Sequence, residues 1–240
     1  MLFKFTNPRH LPLFVTQGFG ENSIPLYKEL GMKGHNGWDC FANDGDEILA
    51  THDGVVTFAG DDGSAGLGVV IRTTEQFEDV NGRLSYWKSL YWHLQRGSII
   101  VHADQAVKKG QVIARADNTG LSTGTHLHFG IKPVEQGEQD WQWGNLEVKN
   151  GYNGAVDPKP YYQYRFDKDL KLGDVGSEVM NLQERLKVEG FFPGKIVDTY
   201  GPITRKAVYD YQISKNIAPL TRALWKGKYC GPATRAILNL

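Results

Sequence analysis

From Gln17 to about Pro133 the chain runs as short apolar stretches rich in Val, Ile, Tyr and Thr, separated by Gly-Asp, Asp-Gly and Asn-Gly pairs. Runs of this length bounded by turn formers read as antiparallel strands. The clearest are predicted over residues 47–50, 54–59, 68–72, 90–94, 111–114 and 126–131. Residues 75–88 predict a hairpin extension with Asn81-Gly82 at its tip. An aromatic, Gly- and Asn-rich passage follows, holding Trp141, Trp143, Tyr152, Tyr161, Tyr162 and Tyr164, and is expected to wrap the first domain and lead out of it. The Asp157-Pro158 and Lys159-Pro160 pairs disfavour helix and place a domain boundary soon after them.

Beyond about Asp167 the period becomes helical. In the run from Ser177 to Leu186, Ser177 is the expected cap, Val179, Leu182 and Leu186 share a face, and Gly190 is the expected stop. A second helix is predicted from Pro202, with Ala207, Val208 and Tyr211 facing inward. The string Gly-Pro-x-Thr-Arg at 201–205 returns at 231–235, an internal echo that marks a small module. The chain is therefore read as α+β: a mainly antiparallel β-sheet domain over residues 1–165, then a small three-helix bundle domain over 166–240.

With 40% apolar and 12% aromatic residues among 240, two modest cores can be filled. Lys and Arg together number 27, as do Asp and Glu, so no net field draws the chain to nucleic acid or to an anionic membrane. Neither is expected as a partner, and no stretch is long enough to span a bilayer. Cys40 and Cys230 form no CxxC pair and are read as separate thiols, Cys40 packing in the core. The first ten residues lack the unbroken apolar run of a secretory leader. The expectation is a monomer made in a cytoplasm and released by another route, or one secreted with a leader not included here.

Chemistry concentrates in two strings, His35-Asn-Gly-Trp-Asp39 and His126-Leu-His128. A zinc ion that does chemistry takes three protein ligands and leaves one position open. His35, Asp39 and His128 can fill those places, leaving His126 for proton work. On an extended backbone residues two or four apart share a face, so each string would present its pair to one side. Gly34, Asn36 and Gly37 weaken a helix there, which separates the pattern from the helical HExxH arrangement. Serine or cysteine protease chemistry has no Gly-x-Ser-x-Gly elbow and no recognisable cysteine nucleophile to draw on. His10, His52 and His102 match no motif and are read as structural or surface residues.

The text around these strings resembles the lysostaphin-type zinc endopeptidases, which cut the peptide part of bacterial cell walls. Residues 34–40 resemble the family's first metal motif, 118–131 its second, and 90–94 the segment carrying its other catalytic histidine. Residues 107–114 and 156–158 resemble flanking segments, and the resemblance spans Gln17 to Tyr162. It implies that His35, Asp39 and His128 bind Zn2+, while His93 and His126 flank the open coordination position as catalytic residues. Trp38 stands where the family often has an aliphatic residue, and the extension over 75–88 is longer than a simple connection, so both are expected to reshape the substrate groove. Residues from Leu170 to Leu240 resemble a three-helix peptidoglycan-binding domain, with Tyr200, Tyr209, Tyr211 and Arg205 as candidate contacts.

The resemblance thus implies an enzyme, a zinc metallopeptidase cleaving stems or cross-links of bacterial peptidoglycan, of the kind a phage endolysin supplies at lysis. A catalytically inactive peptidoglycan-binding scaffold or hydrolase activator is the alternative. Members of that class typically lose ligands, whereas all five positions are filled here.

Overall fold

The computed structural model describes residues 1–9, 13–137, 143–164, 166, 168–217 and 227–239, so the expectations for His10 and Trp141 lie outside the described residues. The chain divides into two compact units, Met1–Tyr162 and Gln163–Leu240. The α+β arrangement expected from the sequence is present, with strands in the first unit and most helical residues in the second.

In the first unit the main sheet runs β1 (Val15–Gln17), β2 (Trp38–Phe41), β10 (His126–Gln136), β7 (Leu84–Trp92), β5 (Leu67–Arg72), β4 (Gly54–Asp61) and β8 (Ala106–Val107). All neighbours on this path are antiparallel. Strand β6 (Phe77–Glu78) pairs with β7, and β11 (Trp143–Asn145) with β10. A separate ribbon joins β3 (Glu47–Leu49) to β9 (Val112–Arg115), and a short helix α1 (Leu26–Glu29) follows β1.

Alternation along β7 and β10 gives this sheet two unlike faces. Trp87, Ser89, Tyr91, Leu127, Phe129 and Ile131 are fully buried on one face. Phe3 stacks on Trp87 with ring centroids 4.5 Å apart, and Phe5 packs on Phe129 at 4.9 Å, so the amino-terminal segment seals that side. Burying such rings supplies the main favourable term in folding, about 25 cal/mol per Å² of apolar surface. Tyr86, Lys88, Leu90, Trp92, His126, His128 and Lys132 are less buried and point the other way.

Two strands differ in extent from their sequence expectation. The strand expected at 90–94 ends at Trp92, because His93 turns into the left-handed region at φ 64°. It begins at Leu84, as the returning arm of the hairpin whose tip is set by Gly82 at φ 81° and by Asp79, whose carboxylate accepts from the Asn81 and Arg83 amides at 2.8 and 2.9 Å. Trp38 also departs from expectation. It is buried against Phe5 and Tyr162, so it shapes the core and not a substrate groove.

In the second unit β12 (Leu170–Lys171) pairs with β13 (Tyr229–Cys230), and the described helices are α2 (Ser177–Val188), α3 (Pro202–Ser214) and α4 (Pro232–Leu238). The sequence did not announce this two-residue strand pair. Helix α2 starts at Ser177 itself, with Gly176 at its N-cap, and ends before Gly190 at φ 83°. Val179, Leu182, Leu186, Ala207, Val208 and Tyr211 are buried.

The Gly-Pro-x-Thr-Arg echo has a structural counterpart. Gly201 and Gly231 are N-caps, each followed by Pro at the first helical position. The Gln183 side-chain amide donates to Thr204 Oγ1 at 2.8 Å and to the Thr199 carbonyl at 3.0 Å. Gln212 does the same to Thr234 Oγ1 at 2.9 Å and to the Tyr229 carbonyl at 2.8 Å. Each repeat thus ties the preceding helix to the next helix start through buried, satisfied polar groups.

Candidate metal centre

Strand β2 presents Asp39 and strand β10 presents His126 and His128 on the less buried sheet face, in the register His128↔Asp39 and His126↔Phe41. His35 arrives differently. It lies in the bend before β2, not on the strand, and the reason is local. Gly34 sits so close to the Gly20 carbonyl that a Cβ there would fall 2.5 Å from its oxygen. The His35 backbone is clamped instead, its N–H donating to the Glu21 carbonyl and its own carbonyl accepting from Gly20, both at 2.8 Å.

The three side chains nevertheless converge. His35 Nε2 lies 2.9 Å from His128 Nδ1, and each is 3.1 Å from Asp39 Oδ1. Ligand atoms about 2.0–2.1 Å from a tetrahedral ion lie about 3.3 Å from one another, so this triangle fits three corners of such a site. Two imidazole nitrogens and a carboxylate oxygen are also the donor set of a hydrolytic metal centre. Among the described residues these three form a group able to hold a metal ion.

Backbone carbonyls set the histidine rings. His35 Nδ1 donates to the Gly18 carbonyl at 3.1 Å, which leaves the Nε2 lone pair facing the cluster. His93 Nδ1 donates to the Thr119 carbonyl at 2.8 Å, and His126 Nδ1 to the Gly124 carbonyl at 2.8 Å. Their rings lie 4.7 Å apart between centroids, and His126 Nε2 is 3.4 Å from Asp39 Oδ1. All five sequence-predicted residues are therefore brought together.

Electrostatics follow from burial and from Asp39. Burial works to raise the Asp39 carboxyl, but hydrogen bonds from His126, His128 and His35 outweigh it and hold the pKa far below the usual carboxylate range. Burial pushes His93 down to about 4 and lowers His128. It also pushes His126 down, but there the hydrogen bond and charge of Asp39 prevail and raise it above an ordinary imidazole.

Several supporting positions carried no sequence signal that singled them out. A Cβ on Gly37 would lie 2.9 Å from His128 Nε2 and 2.5 Å from the Phe129 carbonyl, so only glycine lets the first string close over the second. Gly66 and Gly120 interlock in the same way, each Cβ position falling within 2.5 Å of the other loop's backbone, and this holds the Thr119 carbonyl that orients His93. Trp92, opposite His128 on the neighbouring strand, lies on the bare backbone of Gly68. Carbonyl acceptors come from any residue type, so spacing could not find them.

The other candidates separate cleanly. His52 is buried and bonded to Ser89 Oγ at 2.9 Å, and His102 is exposed, its ring bonded to the neighbouring Ala103 carbonyl. In the second unit Tyr200 and Tyr211 are core residues at 0% and 1% exposure, so they do not offer a surface to a polymer. Tyr200 instead donates its hydroxyl to the Gly227 carbonyl at 2.7 Å. Tyr209 and Arg205 are half-buried.

Residues 33–140 match the model of Peptidase family M23, and residues 175–219 match that of "Putative peptidoglycan binding domain". A metalloprotease of Haemophilus influenzae is 36% identical over 99 residues, which are 41% of this chain and 18% of that protein. The DD-carboxypeptidase/endopeptidase Mpg of Neisseria meningitidis is 38% identical over 115 residues, 48% of this chain and 23% of that protein. This chain thus matches about a fifth of the length of those relatives. Among solved structures, the catalytic domain of the antimicrobial peptidase lysostaphin from Staphylococcus simulans is similar at TM-score 0.44 and 24% identity, over 62% of this chain and 91% of that one.

Proposed function

We propose that this chain is a zinc-dependent endopeptidase acting on the peptide stems or cross-links of bacterial peptidoglycan, a reading supported by the match of residues 33–140 to Peptidase family M23 and of residues 175–219 to a peptidoglycan-binding domain. The observation that carries this reading is the 2.9–3.1 Å triangle of His35 Nε2, His128 Nδ1 and Asp39 Oδ1 beside two further imidazoles. His35, Asp39 and His128 would hold the ion. A zinc ion held there would supply Lewis acidity, the chemistry that lowers the pKa of a water towards about 7 and polarises a carbonyl.

The chain's own residues do the rest. With Nδ1 of His126 and His93 both donating to backbone carbonyls, each ring can turn its Nε2 towards the reacting atoms. One can take a proton from the attacking water and pass it to the leaving amine, and the other can donate to the developing oxyanion. Asp39 is held as a carboxylate, so it adds negative charge that favours a cation in the site.

The second domain would keep the enzyme on an insoluble polymer, where linkage turns weak recognition into high local concentration. That pairing suits an endolysin-like role, working on the wall once released to it. Among the described residues no helix is long and apolar enough to cross a membrane.

Mass spectrometry of soluble products from purified walls tests the reading, using zinc-loaded protein and the same protein after chelation. Peptide fragments with new amino termini are expected only with zinc. Retention on walls of every cross-link type without released fragments would instead make the chain a binding scaffold.

A further inference from the structure

The sheet face that carries the metal-ligand cluster also carries a row of cations that the cluster does not use. Arg72 on β5 pairs in register with Lys88 on β7, and Lys88 pairs in register with Lys132 on β10. Lys132 follows His128 by four residues on the same strand, so both side chains point to one face, about 13 Å apart at a rise of about 3.3 Å per residue. Like charges placed directly opposite one another destabilise a sheet. Here three stand side by side.

The row is built into the fold. Arg72 sits over Trp143, its guanidinium carbon 3.6 Å from the ring centroid, with the Tyr86 ring centroid at 5.7 Å. One nitrogen donates to the Thr73 carbonyl at 3.0 Å, while the buried Nε has no hydrogen-bond partner. Burial first, and then the neighbouring cation, lowers the pKa of Lys88, through Arg72, and of Lys132, through Lys88. Asp62 acts on Lys132 in the opposite sense. Among the described residues neither lysine has an acid within ion-pair distance. Partly desolvated cations without a counter-charge are costly, and an incoming anion would form charge-assisted hydrogen bonds that relieve that cost.

We propose that Arg72, Lys88 and Lys132 form a subsite for a carboxylate of the peptide substrate, carried about four extended residues from the scissile bond. This deepens the endopeptidase reading and rests on it for the identity of the substrate. A peptide laid along the face would meet the metal-ligand cluster at one end and the cation row at the other. Free-acid stems would be selected over amidated ones.

Calorimetric titration of the zinc-loaded full chain with a wall-derived stem peptide, as free acid and fully amidated, tests the subsite. Mass spectrometry checks that the peptide stays intact. The free acid is expected to bind about tenfold more tightly, the scale of one charge-assisted hydrogen bond. Lys88→Met and Lys132→Met should each bring that ratio towards one, whereas Lys108→Met, at an exposed ion pair with Asp53, should leave it intact. Equal affinity for the two forms in the unaltered chain, or no binding of either, overturns the subsite without needing any variant. The ratio concerns binding alone. Failure to cut cross-linked walls with the ratio intact would fall on the endopeptidase reading and not on the subsite.

Discussion

His35 Nε2 and His128 Nδ1 face each other at 2.9 Å although 93 residues separate them, one on a loop bend and the other on a strand. Asp39 Oδ1 is equidistant from both. Two nitrogen lone pairs and a carboxylate aimed at one point repel unless a proton or a metal ion lies between them. If a zinc ion fills that place, as proposed, removing any one of the three side chains should prevent its retention.

His35→Ala and Asp39→Ala are expected to lose both zinc and wall-cleaving activity, read by metal analysis after gel filtration and by product release. His126→Ala should keep about one zinc per chain yet lose turnover by about 10²–10⁴-fold, the usual worth of a positioned general acid or base. A His35→Ala protein that kept stoichiometric zinc and full activity would refute the ligand assignment.

Gly37→Ala should weaken the proposed zinc binding from a position outside the three candidate ligands. The added methyl must displace His128 or the Phe129 carbonyl. Zinc affinity is expected to fall by about 10–100-fold, as for other groups that orient a ligand. Gly144→Ala, with nothing within 4 Å of its Cβ, is the control. Equal affinities in competition with a chromogenic chelator would show that the close approach is not needed.

His52, outside the candidate metal centre, is expected to make stability depend on pH. Burial pushes its pKa from 6.5 to about 4. As pH falls, the unfolded chain takes up the proton first, so this contribution is complete above about pH 6.5 and is lost between there and pH 4. The full loss is about 3 kcal/mol at 1.36 kcal/mol per pKa unit. Urea unfolding at pH 7.5 and 4.5 should show a smaller acid loss in His52→Gln than in the unaltered chain. Equal losses would mean that His52 titrates normally.

Thr204→Val and Thr234→Val test the repeated Gln–Thr tie of the second unit. Each leaves a buried glutamine amide one acceptor short, which costs about 1–3 kcal/mol. Chemical denaturation of the full chain should show destabilisation of similar size for both. A difference larger than that range between the two would show that the echo is one of sequence and not of energetics.

Much of this molecule was legible from local pattern. Residues two apart on a strand share a face, so His126-Leu-His128 announced a pair of aligned imidazoles around a buried Leu127. The 3.6-residue period found the inward faces of α2 and α3, and Pro202 after Gly201 marked the start of α3. Resemblance added His93, whose left-handed backbone no periodicity would show.

What only tertiary structure decided is non-local. His35 was expected on a strand and lies in a bend, because the Gly18–Glu21 turn seizes its backbone and its ring. Tyr200 and Tyr211 were offered as polymer contacts and are core, since an aromatic residue in a helical module reads alike in either place until its neighbours are known. Trp38 turned inward for the same reason. The Arg72–Lys88–Lys132 row exists only through the registers of β5, β7 and β10. A one-residue slip would send a lysine to the opposite face, and that register is set by burial of Trp87, Tyr91 and Phe129 across the whole sheet. Local spacing determined which side chains could share a face, and long-range packing determined which of those faces meet.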